Sequence, residues 1–144
     1  MPYQHILVAV DLSPQSNQVA ERASQIAQQN QASLAIVHVV EHSPVAYGGE
    51  FSIPIDVNLE HTIETQARES LAVLSKAVRI SEKSQYVLNG SVKRAVIDLA
   101  ENLHTDLIIV GTHGHHGIDK LLGSRANAIL HGANCDVLAI RAKE

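Results

Sequence analysis

Short apolar runs alternate along this chain with longer stretches of helical period. Ile6-Leu7-Val8-Ala9-Val10 is a β-branched run without in–out alternation, so both its faces should be buried, as in a parallel sheet covered by helices. Asp11-Leu12-Ser13-Pro14 breaks the run, and Ser13 followed by Pro14 predicts an N-cap with proline at the first helical position. Val19, Ala20, Ala23, Ile26 and Ala27 then recur at helical spacing, predicting a helix over 14–30 with Asn30 as its stop. Residues 34–40 (LAIVHVV) form a second buried strand. The stretch 41–57, with Pro44, Gly48, Gly49 and Pro54, reads as an irregular loop, and loops that long in a compact domain are usually functional or mobile. Leu59, Ile63, Ala67, Leu71, Leu74 and Val78 predict a helix over 58–79, and residues 85–88 a third strand. Gly90-Ser91 turns the chain, with Ser91 capping a helix that carries Val92, Ala95, Val96, Leu99 and Leu103. Residues 107–110 (LIIV) are the fourth strand, a helix with Ala126, Ile129 and Leu130 ends at Gly132, and residues 137–140 are the fifth strand.

The order is βαβαβαβαβ. It predicts one α/β domain over 1–144: a five-stranded parallel sheet with helices on both faces and right-handed crossovers. In the flavodoxin-like strand order 3-2-1-4-5, the first and fourth strands are neighbours at a switch point, where open α/β sheets bind ligands.

Composition narrows the function classes. The chain has 144 residues, enough for one core without covalent staples. Cys135 is the one cysteine, which excludes an intrachain disulfide or a Cys-rich zinc site. With 11 basic and 15 acidic residues the net charge is −4, which argues against nucleic-acid binding; 3% aromatic residues leave few platforms for stacking single strands. No apolar run reaches membrane-span length and the N-terminus lacks the features of a signal peptide, so a cytoplasmic protein without membrane contact is expected.

Two strand ends carry candidate chemistry. The first ends at Asp11, whose carboxylate could accept hydrogen bonds from ribose hydroxyls or an adenine amino group, or could serve only as a turn carboxylate before Ser13-Pro14. The fourth runs into Gly111-Thr112-His113-Gly114-His115-His116-Gly117, and Gly123-Ser124 follow where a helix begins. Glycines admit close backbone approach and positive φ, and a helix N-terminus offers free N–H groups to an anion. The segment is either a phosphate cradle or a glycine-rich turn with a helix cap that needs no ligand. It is neither a P-loop nor the G-x-G-x-x-G fingerprint. Lys120 and Arg125 flank it, as phosphate-neutralising groups or as plain surface cations. His113, His115 and His116 are better placed to line the pocket than to hold a metal, so no metal site is expected. His38 reads as a satisfied core histidine. No G-x-S-x-G elbow is present, and Cys135 reads as a core or near-core residue.

These motifs, taken together and in order, resemble the universal stress protein family, most closely its universal stress protein A branch. The matching pieces are residues 5–13 (HILVAVDLS), the strand 34–39, the block 106–114 (DLIIVGTHG), and Gly123-Ser124-Arg125-Ala126 through to residues 137–140. The resemblance covers the whole chain. It implies an adenine nucleotide alpha hydrolase-like fold and a homodimer paired through the last strand, 137–140. Many members bind ATP or AMP through Gly-x2-Gly-x9-Gly-Ser/Thr; here the gap from Gly114 to Gly123 is eight residues. By that resemblance, Asp11 with the backbone of Ala9 and Val10 holds ribose and adenine, and Val39 meets adenine through its backbone. Gly111, Gly114, Gly123, Ser124 and the Arg125 amide hold ribose and phosphates, with His113 close by. Mg²⁺ would accompany ATP.

The expected function is therefore that of a nucleotide-binding regulatory protein of the stress response, acting by binding and not as an enzyme, with any ATP hydrolysis slow. The alternative is a nucleotide-free dimeric interaction module of the same fold. An ATP pyrophosphatase would need a Ser-Gly-Gly-x-Asp-Ser type loop after the first strand. A flavin carrier would need aromatic residues near the ring, for which Tyr47 and Phe51 are the candidates.

Overall fold

The computed structural model describes residues 2–41, 57–112 and 124–142. Its elements are β1 (His5–Ala9), α1 (Ser16–Asn30), β2 (Ser33–Val40), α2 (Val57–Ala77), β3 (Gln85–Asn89), α3 (Val92–Asn102), β4 (Leu107–Gly111), α4 (Ser124–Gly132) and β5 (Asp136–Ile140), with one 3-10 turn at Glu82–Ser84 before β3. All five strands are parallel, in the order β3-β2-β1-β4-β5. The order reverses between β1 and β4, as in the expected flavodoxin-like order.

The unbroken apolar runs are explained by two cores, one on each face of the sheet. Ile6, Val8, Ile36, Leu107 and Ile109 pack with Val19, Ala20 and Ala23 of α1 and Ala67, Leu71 and Leu74 of α2. Their sequence neighbours Leu7, Val37, Val39, Ile108 and Val110 point the other way, onto Val96, Leu99 and Ala100 of α3 and Ala126 and Ile129 of α4. Period-2 alternation of side chains thus feeds both cores from the same strands.

The start of α1 corrects one expectation. Ser13 and Pro14 do not open the helix; they form a turn, closed by Ser16 N–H donating to the Ser13 carbonyl at 2.9 Å, and α1 begins at Ser16 with Gln15 before it. The reason is Asp11, whose Oδ1 accepts from the Ser13 N–H at 2.9 Å and the Ser16 hydroxyl at 3.1 Å, so the chain makes an Asx turn before it can coil. Leu12, inside that turn, takes a left-handed φ of 62°. Ser91 caps α3 as expected, accepting from the Arg94 N–H at 3.4 Å.

Three helices end without glycine. Gln31, Arg79 and His104 have φ of 54°, 64° and 55°. Each N–H returns three residues, to Gln28, Lys76 and Glu101, and the next residue's N–H returns five, to Ala27, Ser75 and Ala100. These are Schellman closures of α1, α2 and α3.

At the pole where the strands begin, Asp106 clasps the N-terminal segment, accepting from Gln4 N–H at 2.8 Å and His5 N–H at 3.0 Å. Partial burial pushes its carboxyl up, but those backbone donors outweigh it and hold the group below the usual carboxylate range. Cys135 is half-buried just before β5, and burial, then Asp136 and Asp106, push its thiol pKa up.

Candidate functional site

At the opposite pole, where the strands end, a cleft of about 600 Å³ lies around the switch point. Seven residues singled out from the sequence line it: Ala9, Val10 and Asp11 after β1, Val39 in β2, Gly111 closing β4, and Ser124 and Arg125 opening α4. They are far apart in sequence, and parallel pairing of β1 with β2 and β4 brings them to one rim. His113, Gly114 and Gly123, with His115, His116, Lys120 and residues 42–56 of the stretch 41–57 expected to be a loop, lie outside the described residues.

The segment after β1 is held from two sides. The Val10 N–H donates to the Val37 carbonyl at 3.0 Å, and the Val10 carbonyl accepts from Nδ1 of His38 at 2.9 Å. Since a carbonyl only accepts, His38 carries its proton on Nδ1 when neutral. His38 is satisfied, as the sequence suggested, but it is half-buried and lines the cleft instead of lying in the core.

Asp11 fulfils its turn role and lines the cleft at once. Gly111 does not use the left-handed backbone that is open to glycine. Among the described glycines only Gly90 has positive φ, at 119°. What Gly111 supplies is space: a Cβ there would stand 3.0 Å from Cγ2 of Val19. Its lack of a side chain lets α1 pack closely against the end of β4.

Arg125 is not a plain surface cation. Its Nε and Nη2 both lie 2.6 Å from Oε1 of Glu41, the residue that follows β2. Both residues line the cleft, so the pair joins the end of β2 to the first turn of α4 past the intervening end of β1. Sequence reasoning missed Glu41. The available signal was its position directly after a strand's carboxyl end, where α/β sheets place ligand-facing groups.

The cleft combines apolar walls from both cores (Val19, Val37 and Val96 among them) with a small set of polar groups, the usual make-up of a small-molecule site, and its volume lies in the range such sites occupy. The N–H groups of the first α4 turn have no intrahelical acceptor and suit an anion. Asp11 and Glu41 are its two carboxylates among the described residues. No group of three His, Cys, Asp or Glu side chains among those residues is arranged to hold a metal, and none of the described helices is long and apolar enough to cross a membrane.

Comparison with known proteins agrees with this architecture. The universal stress protein A homolog 1 of Coxiella burnetii (strain RSA 493 / Nine Mile phase I) is 63% identical over 144 residues, the full length of both chains. The solved universal stress protein UspA from Lactobacillus plantarum superposes with a TM-score of 0.79 at 25% identity, covering 98% of this chain and 99% of that one. A universal stress protein solved in complex with cAMP superposes with a TM-score of 0.65 at 26% identity, covering 97% and 98%. The family model described as the universal stress protein family matches residues 2–141. The chain belongs to the universal stress protein family, in its universal stress protein A branch.

Proposed function

We propose that this protein binds an adenine nucleotide, ATP or AMP, in the cleft at the ends of β1 and β4, and acts in the stress response through that bound state and not through turnover. The observation that carries the reading is the convergence of Ala9, Val10, Asp11, Val39, Gly111, Ser124 and Arg125 on one cleft with apolar walls and an anion-suited helix end. The cAMP complex of a relative with 26% identity supports it, because that ligand carries the same base, ribose and phosphate chemistry. The backbone of Ala9, Val10 and Val39 would face the base, and Asp11 the ribose hydroxyls. Gly111, Ser124 and the Arg125 amide would face the phosphates, with His113, Gly114 and Gly123 completing the cradle. Mg²⁺ would enter with ATP.

Binding without catalysis is favoured by Asp11, whose carboxylate is engaged in its own turn by the Ser13 N–H and the Ser16 hydroxyl. The same proposal covers a cytoplasmic location and a homodimer joined through residues 137–140, since β5 is the outermost strand beside β4 and Leu138 is exposed.

The test is direct. The purified protein is denatured, released nucleotide is identified by chromatography and mass spectrometry, and the protein is titrated with ATP and AMP by calorimetry. Stoichiometric adenine nucleotide or micromolar affinity is expected. No release and no binding at millimolar ligand would replace this reading with a nucleotide-free interaction module.

A further inference from the structure

We infer that Glu41 sets the phosphate selectivity of the cleft by competing for the Arg125 side chain. This rests on the reading of the cleft as an adenine-nucleotide site. Two observations and one chemical principle carry it. The Arg125 guanidinium sits in the first turn of α4 and lines the cleft, yet it is spent on a protein carboxylate, with both Nε and Nη2 on a single oxygen of Glu41. Arginine is the side chain best matched to phosphate, so a phosphate entering beside Ser124 and Arg125 meets this guanidinium already paired. The pair is also half-open to water, with side-chain exposures of 51% for Arg125 and 38% for Glu41. An ion pair that exposed is weak, worth at most about a fivefold factor in an equilibrium. A dianionic phosphate can displace it, whereas an uncharged nucleoside cannot.

Occupation of the cleft by a phosphate-bearing ligand therefore exchanges Glu41–Arg125 for phosphate–Arg125. The cost of the exchange falls on phosphate-bearing ligands alone. It also frees Glu41, the residue that follows β2, so this ion pair between the end of β2 and α4 is lost when phosphate is bound. Glu41 is thus a positioning residue that sets specificity through Arg125.

Calorimetric titration with AMP and with adenosine separates this idea from its foundation. Glu41→Gln should tighten AMP two- to fivefold and leave adenosine unchanged. Arg125→Gln should weaken AMP and leave adenosine unchanged, and in that background Glu41→Gln should add nothing. Glu82→Gln, which removes one exposed acid outside the cleft, controls for net charge and should change neither affinity. All these side chains are partly or fully exposed, so the variants keep the fold, which circular dichroism checks. If adenosine and AMP both bind but their ratio is the same in wild type and Glu41→Gln, the competition does not exist and the nucleotide reading stands. If Glu41→Gln tightens AMP equally with and without Arg125, Glu41 acts by direct repulsion of phosphate and the inference is overturned. If neither ligand binds wild type or any variant, the nucleotide reading fails and this inference fails with it.

Discussion

Gly111 and Val19 meet at the junction of β4 and α1 so closely that a Cβ on Gly111 would lie 3.0 Å from Cγ2 of Val19. Val19 is β-branched and 4% exposed, so it has little freedom to turn away. Gly111→Ala should destabilise the protein by about 1–2 kcal/mol through overpacking. Urea denaturation measures this, and Val19→Ala in the Gly111→Ala background should recover part of the loss. A Gly111→Ala variant as stable as wild type would show that the junction has slack.

The two roles of Asp11 can be separated. Asp11→Ala removes the acceptor for Ser13 N–H and Ser16 Oγ and should cost about 1–2 kcal/mol of stability, besides weakening AMP. Asp11→Asn keeps a carbonyl oxygen for the same turn while removing the charge. It should stay close to wild type in thermal unfolding and still bind AMP more weakly. Full AMP affinity in Asp11→Asn would confine Asp11 to its turn.

Left-handed residues at the helix ends offer stabilising changes. An L-residue in that conformation costs about 1–2 kcal/mol, offset in part by the greater chain entropy of glycine. Gln31→Gly, Arg79→Gly and His104→Gly should therefore each raise stability by roughly 0.5 kcal/mol. Leu12→Gly should do the opposite despite a similar φ, because Leu12 packs against the core on the α1/α2 face and glycine would forfeit that contact. Thermal melts of the four single variants test the contrast.

Asp106 gives the acid limb of stability a local source. Its folded-state pKa lies below the unfolded value, so the folded chain binds this proton less readily than the unfolded chain. Its contribution is then fully present above the ordinary carboxylate pKa of about 3.9 and is lost as pH falls through the lower folded value. Asp106→Ala should lose about 1 kcal/mol at pH 7, where the Gln4 and His5 bonds are broken. Denaturant midpoints from pH 7 to pH 2 should show the gap between variant and wild type narrowing below pH 4. A constant gap would assign the effect to packing.

The proposed dimer can be tested at Ala139. The Ile140 carbonyl accepts from Thr112 N–H, so Ile140 faces β4 and its neighbour Ala139 turns its backbone groups outward. Ala139→Pro removes an outward N–H and leaves the β4 ladder intact, as proline on an edge strand permits. Light scattering should show a monomer for Ala139→Pro and a dimer for wild type. A dimeric Ala139→Pro would move the interface away from β5.

Much of this architecture is readable from residue order alone. Unbroken runs such as Ile6–Val10 and Leu107–Val110 call for a sheet buried on both faces, and alternation with helical segments calls for parallel pairing. Asp11, Gly111 and Ser124 are likewise legible, because they stand at strand ends and a helix start where backbone geometry favours ligands. Those inferences use neighbours in sequence, and local periodicity carries them. Packing of the whole domain settles which distant residues meet. Nothing in the sequence pairs Glu41 with Arg125, 84 positions apart, or turns His38 towards Val10. Nor does it show that Gly111 is small for the sake of Val19, or that Gln31, Arg79 and His104 would take a backbone form that usually falls to glycine. Side-chain partners across a sheet are set by register and packing of the whole domain, so they emerge only once the strands are side by side.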